Sequence, residues 1–215
     1  MSKLSSLEPF LACAVLATAL SACSSSGDGP RGSVLGRSLE SLTSLSGRGR
    51  EERNAALIDS GTTAVADTES TAYMDRQEAD LRAQLEPRGF KVERAGNHLV
   101  LTLPSAVAFD PNREELKRAA QPLIGQVAGM LKRYDRTTVD VYGHTDSGGD
   151  EKRNLELTQR RALSVARYLA GQGIDAKRLS VTGFGGSRPV GSNDKESGRQ
   201  ENRRIEIQIS PVTRA

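Results

Sequence analysis

The chain has 215 residues, of which 36% are hydrophobic, 27% are charged and only 4% are aromatic. This length leaves room for one domain with a tail or for two small domains. The formal net charge of +3 is too small to indicate a nucleic-acid partner, and no basic stripe with interleaved aromatic residues is present, so we expect no nucleic-acid binding.

The N-terminal stretch is typical of an exported protein. The apolar run Phe10–Ala22 is shorter than the roughly 20 residues that a membrane-spanning helix needs, so it fits the core of an export signal. Its end, Leu20-Ser21-Ala22-Cys23, resembles the bacterial lipobox, although an ordinary signal peptide with a chance cysteine is the alternative. The lipobox implies that residues 1–22 are a signal peptide and that Cys23 is lipidated. Ser24, by resemblance to enterobacterial sorting, favours the outer membrane.

Residues 23–66 are predicted to be a mostly disordered tether, because Ser and Gly crowd this stretch. Helical spacing of four leucines marks a short amphipathic segment, but the intervening Ser and Gly make it a poor helix in isolation: Leu35, Leu39, Leu42 and Leu45.

A leading helix is predicted within residues 67–89. Apolar side chains fall near one stripe of Thr71–Glu86 with charges elsewhere, and Pro87 and Gly89 end the helix. The stripe consists of Tyr73, Met74, Leu81 and Leu85.

From Phe90 onward the predicted order of elements is β-β-α-β-α-β-β. Gly96-Asn97 separates the first two strands as a hairpin, and Pro122 is expected to kink or restart the first long helix. Strands separated by helices favour crossover connections, so residues 90–215 are expected to form an α/β (α+β) domain with a mixed sheet and helices packed on one face.

Polar residues around the second long helix form a candidate binding site. Asn154 and Arg161 are seven residues apart and therefore lie within about 20° of each other around the helix. Asp146 lies in the turn before that helix. A guanidinium and a carboxylate so placed suit a ligand that carries both a carboxylate and an ammonium group. One alternative is a structural salt bridge between Asp146 and Arg161. Another is that Arg160 is the functional arginine, although it points away from Asn154.

Ordered motifs across Phe90–Ser210 resemble the OmpA-like C-terminal domain, a family that includes the peptidoglycan-associated lipoproteins. The motifs are Gly143-His144-Thr145-Asp146, then Asn154, Leu157 and Arg161-Ala162, then Gly183-Phe184-Gly185, and finally Asn202-Arg203-Arg204-Ile205-Glu206. The resemblance implies an OmpA-like β-α-β-α-β fold with a four-stranded type of mixed sheet.

The same resemblance implies non-covalent binding of peptidoglycan through the diaminopimelate of its stem peptide. Asp146 and Arg161 occupy the positions that hold the ammonium and the carboxylate of that residue in the family. The implied peptidoglycan-binding residues are Asp110, Asn112, Thr145, Asp146, Asn154, Leu157 and Arg161. Arg203 is expected to fix the last loop and its ionic contacts, and His144 is expected to be structural, as a hydrogen-bonded residue of the turn.

The leading hypothesis is an outer-membrane lipoprotein whose domain faces the periplasm and ties the membrane to the wall. An alternative is a regulatory lipoprotein that binds a periplasmic protein partner through residues 33–66. An enzyme acting on the wall is disfavoured, because no Ser/His/Asp set stands out and His144 and His98 have no further ligand at metal spacing. We therefore expect no catalytic residue, no metal and no cofactor.

Overall fold

The computed structural model describes residues 49–214. The predicted signal peptide, the lipidation site Cys23 and the tether up to residue 48 lie outside these residues. Five strands form one sheet: β1 (Lys91–Ala95), β2 (His98–Pro104), β3 (Thr137–Gly143), β4 (Leu179–Gly183) and β5 (Arg204–Pro211). The helices are α1 (Arg50–Asp59), α2 (Asp67–Leu85), α3 (Ser105–Ala108), α4 (Gln121–Arg133), α5 (Glu151–Gly171) and α6 (Glu196–Asn202), with short 3-10 turns at Glu86–Arg88 and Ala176–Arg178.

The strand order is β1-β2-β5-β3-β4, and only β3 and β4 are parallel neighbours. A parallel pair needs a long crossover, which α5 supplies between these two strands. The last strand, β5, inserts between β2 and β3 and is antiparallel to both. The predicted fold class is confirmed, but the sheet has five strands rather than four, because the β1–β2 hairpin joins it through β5.

The hydrophobic core lies between one face of the sheet and helices α2, α4 and α5. Alternate residues along the strands, such as Val139, Val141 and Ile207, are buried there, as period-two alternation requires. The predicted apolar stripe of α2 faces the same core. Pro122 lies in the first turn of α4. Backbone N–H groups in the first turn have no acceptor within the helix, so a proline is tolerated there, and the predicted long helix restarts at Gln121 instead of continuing.

Helix α1 corrects the predicted boundary of the tether at residue 66. It contacts β3, and Arg53 forms a buried ion pair with Asp140 of that strand. Asp140 alternates with Val139 and Val141, so α1 lies on the sheet face opposite the core. The helices are therefore not confined to one face. The packing of α1 on the sheet could not be predicted from its own sequence, because a buried charged pair, rather than an apolar stripe alone, holds the helix in place.

Two glycines let α5 pass close to the ends of the parallel strands. Gly143 and Gly183 are register partners at the ends of β3 and β4. A Cβ added at Gly143 would lie 2.2 Å from the Thr158 carbonyl oxygen, and one at Gly183 would lie 2.4 Å from the Gln159 backbone nitrogen. Because α5 also carries Arg161, this close approach sets the position of the candidate site.

Candidate functional site

The site lies beyond the ends of β3 and β4, where the turn of residues 144–150 leads into α5. Asp150 caps the helix, since its side chain accepts a hydrogen bond from the Arg153 backbone N–H at 2.8 Å. The Asn154 side chain donates to the Gly148 carbonyl at 2.7 Å, which fixes the turn against the first turn of the helix. Both bonds hold the C-terminal end of the turn that carries Asp146 against α5.

Both carboxylate oxygens of Asp146 are bonded. Oδ1 accepts the Gly148 backbone N–H at 2.9 Å, and Oδ2 accepts from Arg203 Nη1 at 2.6 Å. Burial raises the pKa of the Asp146 carboxyl, but the hydrogen bonds from Arg203 and Gly148 outweigh this effect, so the pKa lies below its usual value. Asp146 is therefore a fixed negative charge at neutral pH.

Arg161 is buried on α5 and, among residues 49–214, bonds only to backbone oxygens. Its Nε donates to the Arg113 carbonyl at 2.8 Å and its Nη2 to the Asp110 carbonyl at 3.2 Å. The guanidinium carbon also lies 5.1 Å from the centroid of the Phe109 ring. The predicted alternative of a salt bridge between Asp146 and Arg161 is wrong, because each side chain has other partners.

Beside Arg161 is a cavity of about 610 Å³, which we call the arginine cavity. It carries three cationic side chains and one carboxylate: Lys117, Arg161, Arg203 and Asp110. Lys117 pairs with the exposed Asp110 at 3.2 Å, and Arg203 connects the cavity to Asp146. The cavity thus offers a guanidinium without a carboxylate partner in the described chain, together with a nearby carboxylate.

The structure brings only part of the predicted residue set to this cavity. Asp110 and Arg161 line it, and Asp146 is joined to it through Arg203, whereas Asn154 lines a separate cavity of about 350 Å³. Thr145 donates its backbone N–H to the Gly185 carbonyl at 2.9 Å. Leu157 is half-buried on α5, and Asn112 is exposed with a left-handed φ of 56°.

Arg203 is the residue whose place sequence reasoning missed. The sequence predicts that Arg203 fixes the last loop and its ionic contacts, and its guanidinium does bond to Asp146 and Glu196, but it also lines the arginine cavity. The neighbouring Asn202 does fix the loop, since its Oδ1 accepts the backbone N–H groups of Val190 and Gly191. Only its place within the motif Asn202-Arg203-Arg204-Ile205-Glu206 could have pointed to it.

His144 is structural in a different way from that expected. Its ring stacks on Phe184 with the centroids 5.2 Å apart, and its Nε2 lies 3.5 Å from Glu206 Oε2. Burial raises the pKa of the Glu206 carboxyl, but His144 and Arg204 outweigh it and lower the pKa to about 2. The expected hydrogen bond of the His144 side chain within its turn is absent from the described structure, where neither ring nitrogen has a hydrogen-bond partner.

Two further findings concern residues 49–214 alone. They contain no group of three or more His, Cys, Asp or Glu side chains placed to hold a metal ion. None of the helices formed by these residues has the length and apolar character needed to cross a membrane.

Comparison with known proteins identifies the family. The model of the OmpA family matches residues 108–203. The "Probable lipoprotein YiaD" of Escherichia coli is 43% identical over 140 residues, which cover 65% of this chain and 64% of that protein. The outer-membrane lipoprotein YfiB of Pseudomonas aeruginosa is 36% identical over 129 residues, which cover 60% of this chain and 76% of that protein. The chain belongs to the OmpA family.

A solved structure agrees with this assignment. The cell wall anchor of the T6SS from Pseudomonas aeruginosa is 29% identical with a TM-score of 0.55, covering 63% of this chain and 95% of that chain. The match to the Escherichia coli relative spans just under two thirds of that protein's length. None of these three proteins is named as an enzyme.

Proposed function

We propose that this protein is an outer-membrane lipoprotein that binds peptidoglycan non-covalently through the diaminopimelate of the stem peptide. The observation that carries the proposal is the arginine cavity, in which buried Arg161 faces open space without a carboxylate partner among the described residues. Asp146, which is bonded to the cavity-lining Arg203, is the carboxylate for the ligand's ammonium group.

The chemistry of diaminopimelate fits this pair of charges. The free end of its side chain in the stem peptide carries an ammonium and a carboxylate on one carbon. An Arg guanidinium grips a carboxylate through two N–H groups, and a carboxylate pairs with an ammonium. Of the five N–H donors of Arg161, two are used by the carbonyls of Arg113 and Asp110, which leaves three for a ligand.

The relatives support the envelope part of the proposal. Two are lipoproteins, one named as an outer-membrane protein, and the solved neighbour is named as a cell wall anchor. In this protein Cys23 carries the lipid, residues 24–48 connect it to helix α1, and the domain from residue 49 reaches the wall from the periplasmic side. A triacyl anchor exceeds the two signals needed for stable membrane attachment.

The alternative function, binding a periplasmic protein partner through residues 33–66, needs a modified test. Helix α1 lies within that stretch and is tied to the sheet by the Arg53–Asp140 pair. Removing all of 33–66 would take away the Arg53 partner of Asp140 and uncover the face of β3 that α1 contacts, so the test must be a deletion of 33–48 that retains α1. Loss of a partner-dependent phenotype with unchanged wall binding would favour the alternative.

The proposal is tested by calorimetric titration of the full-length protein in detergent micelles. One ligand is a stem tripeptide that ends in diaminopimelate, and the other is its lysine analogue, which keeps the ammonium but lacks the second carboxylate. We expect the lysine peptide to bind at least about 100-fold more weakly, because two charge-assisted hydrogen bonds to Arg161 are lost. Equal affinities would exclude diaminopimelate recognition.

A further inference from the structure

Arg203 has a fixed backbone and a movable side chain. Its backbone N–H donates to the Arg199 carbonyl at 3.0 Å, and its carbonyl accepts the Ser105 backbone N–H at 2.8 Å. The residue is thereby anchored between the end of α6 and the wall of the arginine cavity. Its side chain is 33% exposed, so the guanidinium can change partners without a change in the backbone.

The partners of Arg203 are the carboxylates of Asp146 and Glu196. Three cations, from Lys117, Arg161 and Arg203, and three carboxylates, from Asp110, Asp146 and Glu196, therefore balance to zero in the free protein. An ammonium group that arrives at Asp146 adds one positive charge next to the guanidinium of Arg203. Neighbouring like charges repel, so the incoming ligand must bring an anion with it, and the carboxylate of the diaminopimelate end supplies one.

The diaminopimelate end, with one ammonium and one carboxylate, leaves this sum of charges at zero. A second anion would therefore be held by the unused hydrogen-bond donors of Arg203, because Asp146 and Glu196 occupy only two of its five N–H groups. Arg161 takes the carboxylate of the diaminopimelate end, as proposed above. Arg203, which loses part of its hold on Asp146 when the ammonium binds, is then free to receive another anion within the same cavity. The stem peptide has one to offer, because the γ-linked glutamate next to diaminopimelate carries a free α-carboxylate.

We propose that Arg203 forms a second carboxylate subsite, by which the protein distinguishes stem peptides with a free glutamate α-carboxylate from those in which it is amidated. The inference rests on the proposed peptidoglycan function and adds a specificity to it. Arg203 acts as an exchangeable group: it neutralises Asp146 in the free protein and grips the ligand in the complex.

The test measures a ratio of two affinities. The full-length protein in detergent micelles is titrated calorimetrically with two diaminopimelate tripeptides that differ only in the glutamate α-group, a carboxylate or an amide. We expect the unmodified protein to prefer the carboxylate by about tenfold, the value of one charge-assisted contact, and Arg203→Gln to bind both within about twofold. A preference that persists in Arg203→Gln, or that is absent from the unmodified protein, overturns the proposal.

The ratio separates recognition from a merely structural role. If Arg203 only positions Asp146, Arg203→Gln changes both affinities by one factor and leaves the ratio intact, which contradicts the proposal. Arg199→Gln is the matched control: Arg199 also pairs with Glu196 but does not line the arginine cavity, so the tenfold ratio should remain.

Failure of the underlying function has a different signature. If the unmodified protein binds neither tripeptide, the peptidoglycan assignment itself falls, and the subsite with it. If Arg203→Gln does not fold, Arg203→Lys replaces it: the charge remains but the planar fork is lost, so the ratio should fall below about threefold. An unchanged ratio in Arg203→Lys counts against the subsite.

Discussion

Replacing Arg161 with alanine tests the centre of the proposed site, and its effects on binding and on stability can be worked out separately. Three N–H donors remain for a ligand, and two charge-assisted hydrogen bonds to a carboxylate contribute at least about 3 kcal/mol together, so the Kd should rise about 100-fold or more. The variant also loses the bonds to the Arg113 and Asp110 carbonyls. Asp110 and Arg113 are exposed, so water can replace the lost donors, and we expect a cost of about 1.5 kcal/mol and a Tm lower by about 3–6 °C.

The assay combines calorimetric titration with a diaminopimelate tripeptide, pull-down with purified peptidoglycan and thermal unfolding followed by circular dichroism. Arg160→Ala is the matched control, because it removes the same charge one residue earlier on α5. Arg160 is half exposed and pairs with Glu114 and Glu156 at the surface, so its removal should leave the Kd within about twofold. A cooperatively folded Arg161→Ala protein with unchanged affinity for the tripeptide would refute the assignment of the site.

Three further predictions concern the fold. Asp140→Asn should lower the free energy of unfolding by about 3–5 kcal/mol in a urea titration, because it removes one charge of the buried Arg53–Asp140 ion pair; a loss under about 1 kcal/mol would argue against α1 as part of the domain. The folded-state pKa of Glu206, about 2, lies below its usual value of 4.5, so its carboxylate stabilises the fold above pH 5 and this contribution, up to about 3 kcal/mol, is lost as the pH falls from about 5 to 2. Glu206→Gln should flatten the acid limb of the curve of stability against pH, and an unaltered limb would assign acid unfolding to other groups. Gly183→Ala should lower the free energy of unfolding by about 1–3 kcal/mol and weaken peptide binding, since its Cβ would press on the α5 backbone. Gly129→Ala is the control and should be neutral or stabilising, because an added Cβ there would meet no neighbouring heavy atom within 4 Å. Equal effects at the two glycines would contradict the close approach of α5 to β4.

Most elements of the domain could be predicted from the sequence because their patterns are local. Alternation of apolar residues marked the strands, the stripe of Tyr73, Met74 and Leu81 marked α2, and helical spacing marked α5. Pro122 correctly predicted a break in the helix, and its position in the first turn of α4 shows that the helix restarts there. Helix α1 was assigned to the tether because its stability depends on a charged pair 87 positions apart in sequence, Arg53 with Asp140.

The candidate site shows the same difference between features that are local in sequence and contacts that are not. The ordered motifs from Gly143 to Glu206 indicated the OmpA family. Residue type and helical spacing made Asp146 and Arg161 candidates, and the family resemblance selected them as the charged pair. Their actual partners could not, because hydrogen bonds between Arg161 and the Arg113 carbonyl, or between Arg203 and Asp146, join segments that are distant in sequence.

The sequence by itself determined the order of elements, the family and the two charges of the proposed site, since periodicity and motif spacing are properties of neighbouring residues. Only the tertiary structure decided that Asp146 and Arg161 do not pair with each other and that Asn154 lines a different cavity. It also decided that Arg203 bonds to Asp146 and lines the arginine cavity. The physical reason is that ion pairing depends on distances of a few ångströms between side chains, which packing of the helices on the sheet sets and linear spacing does not.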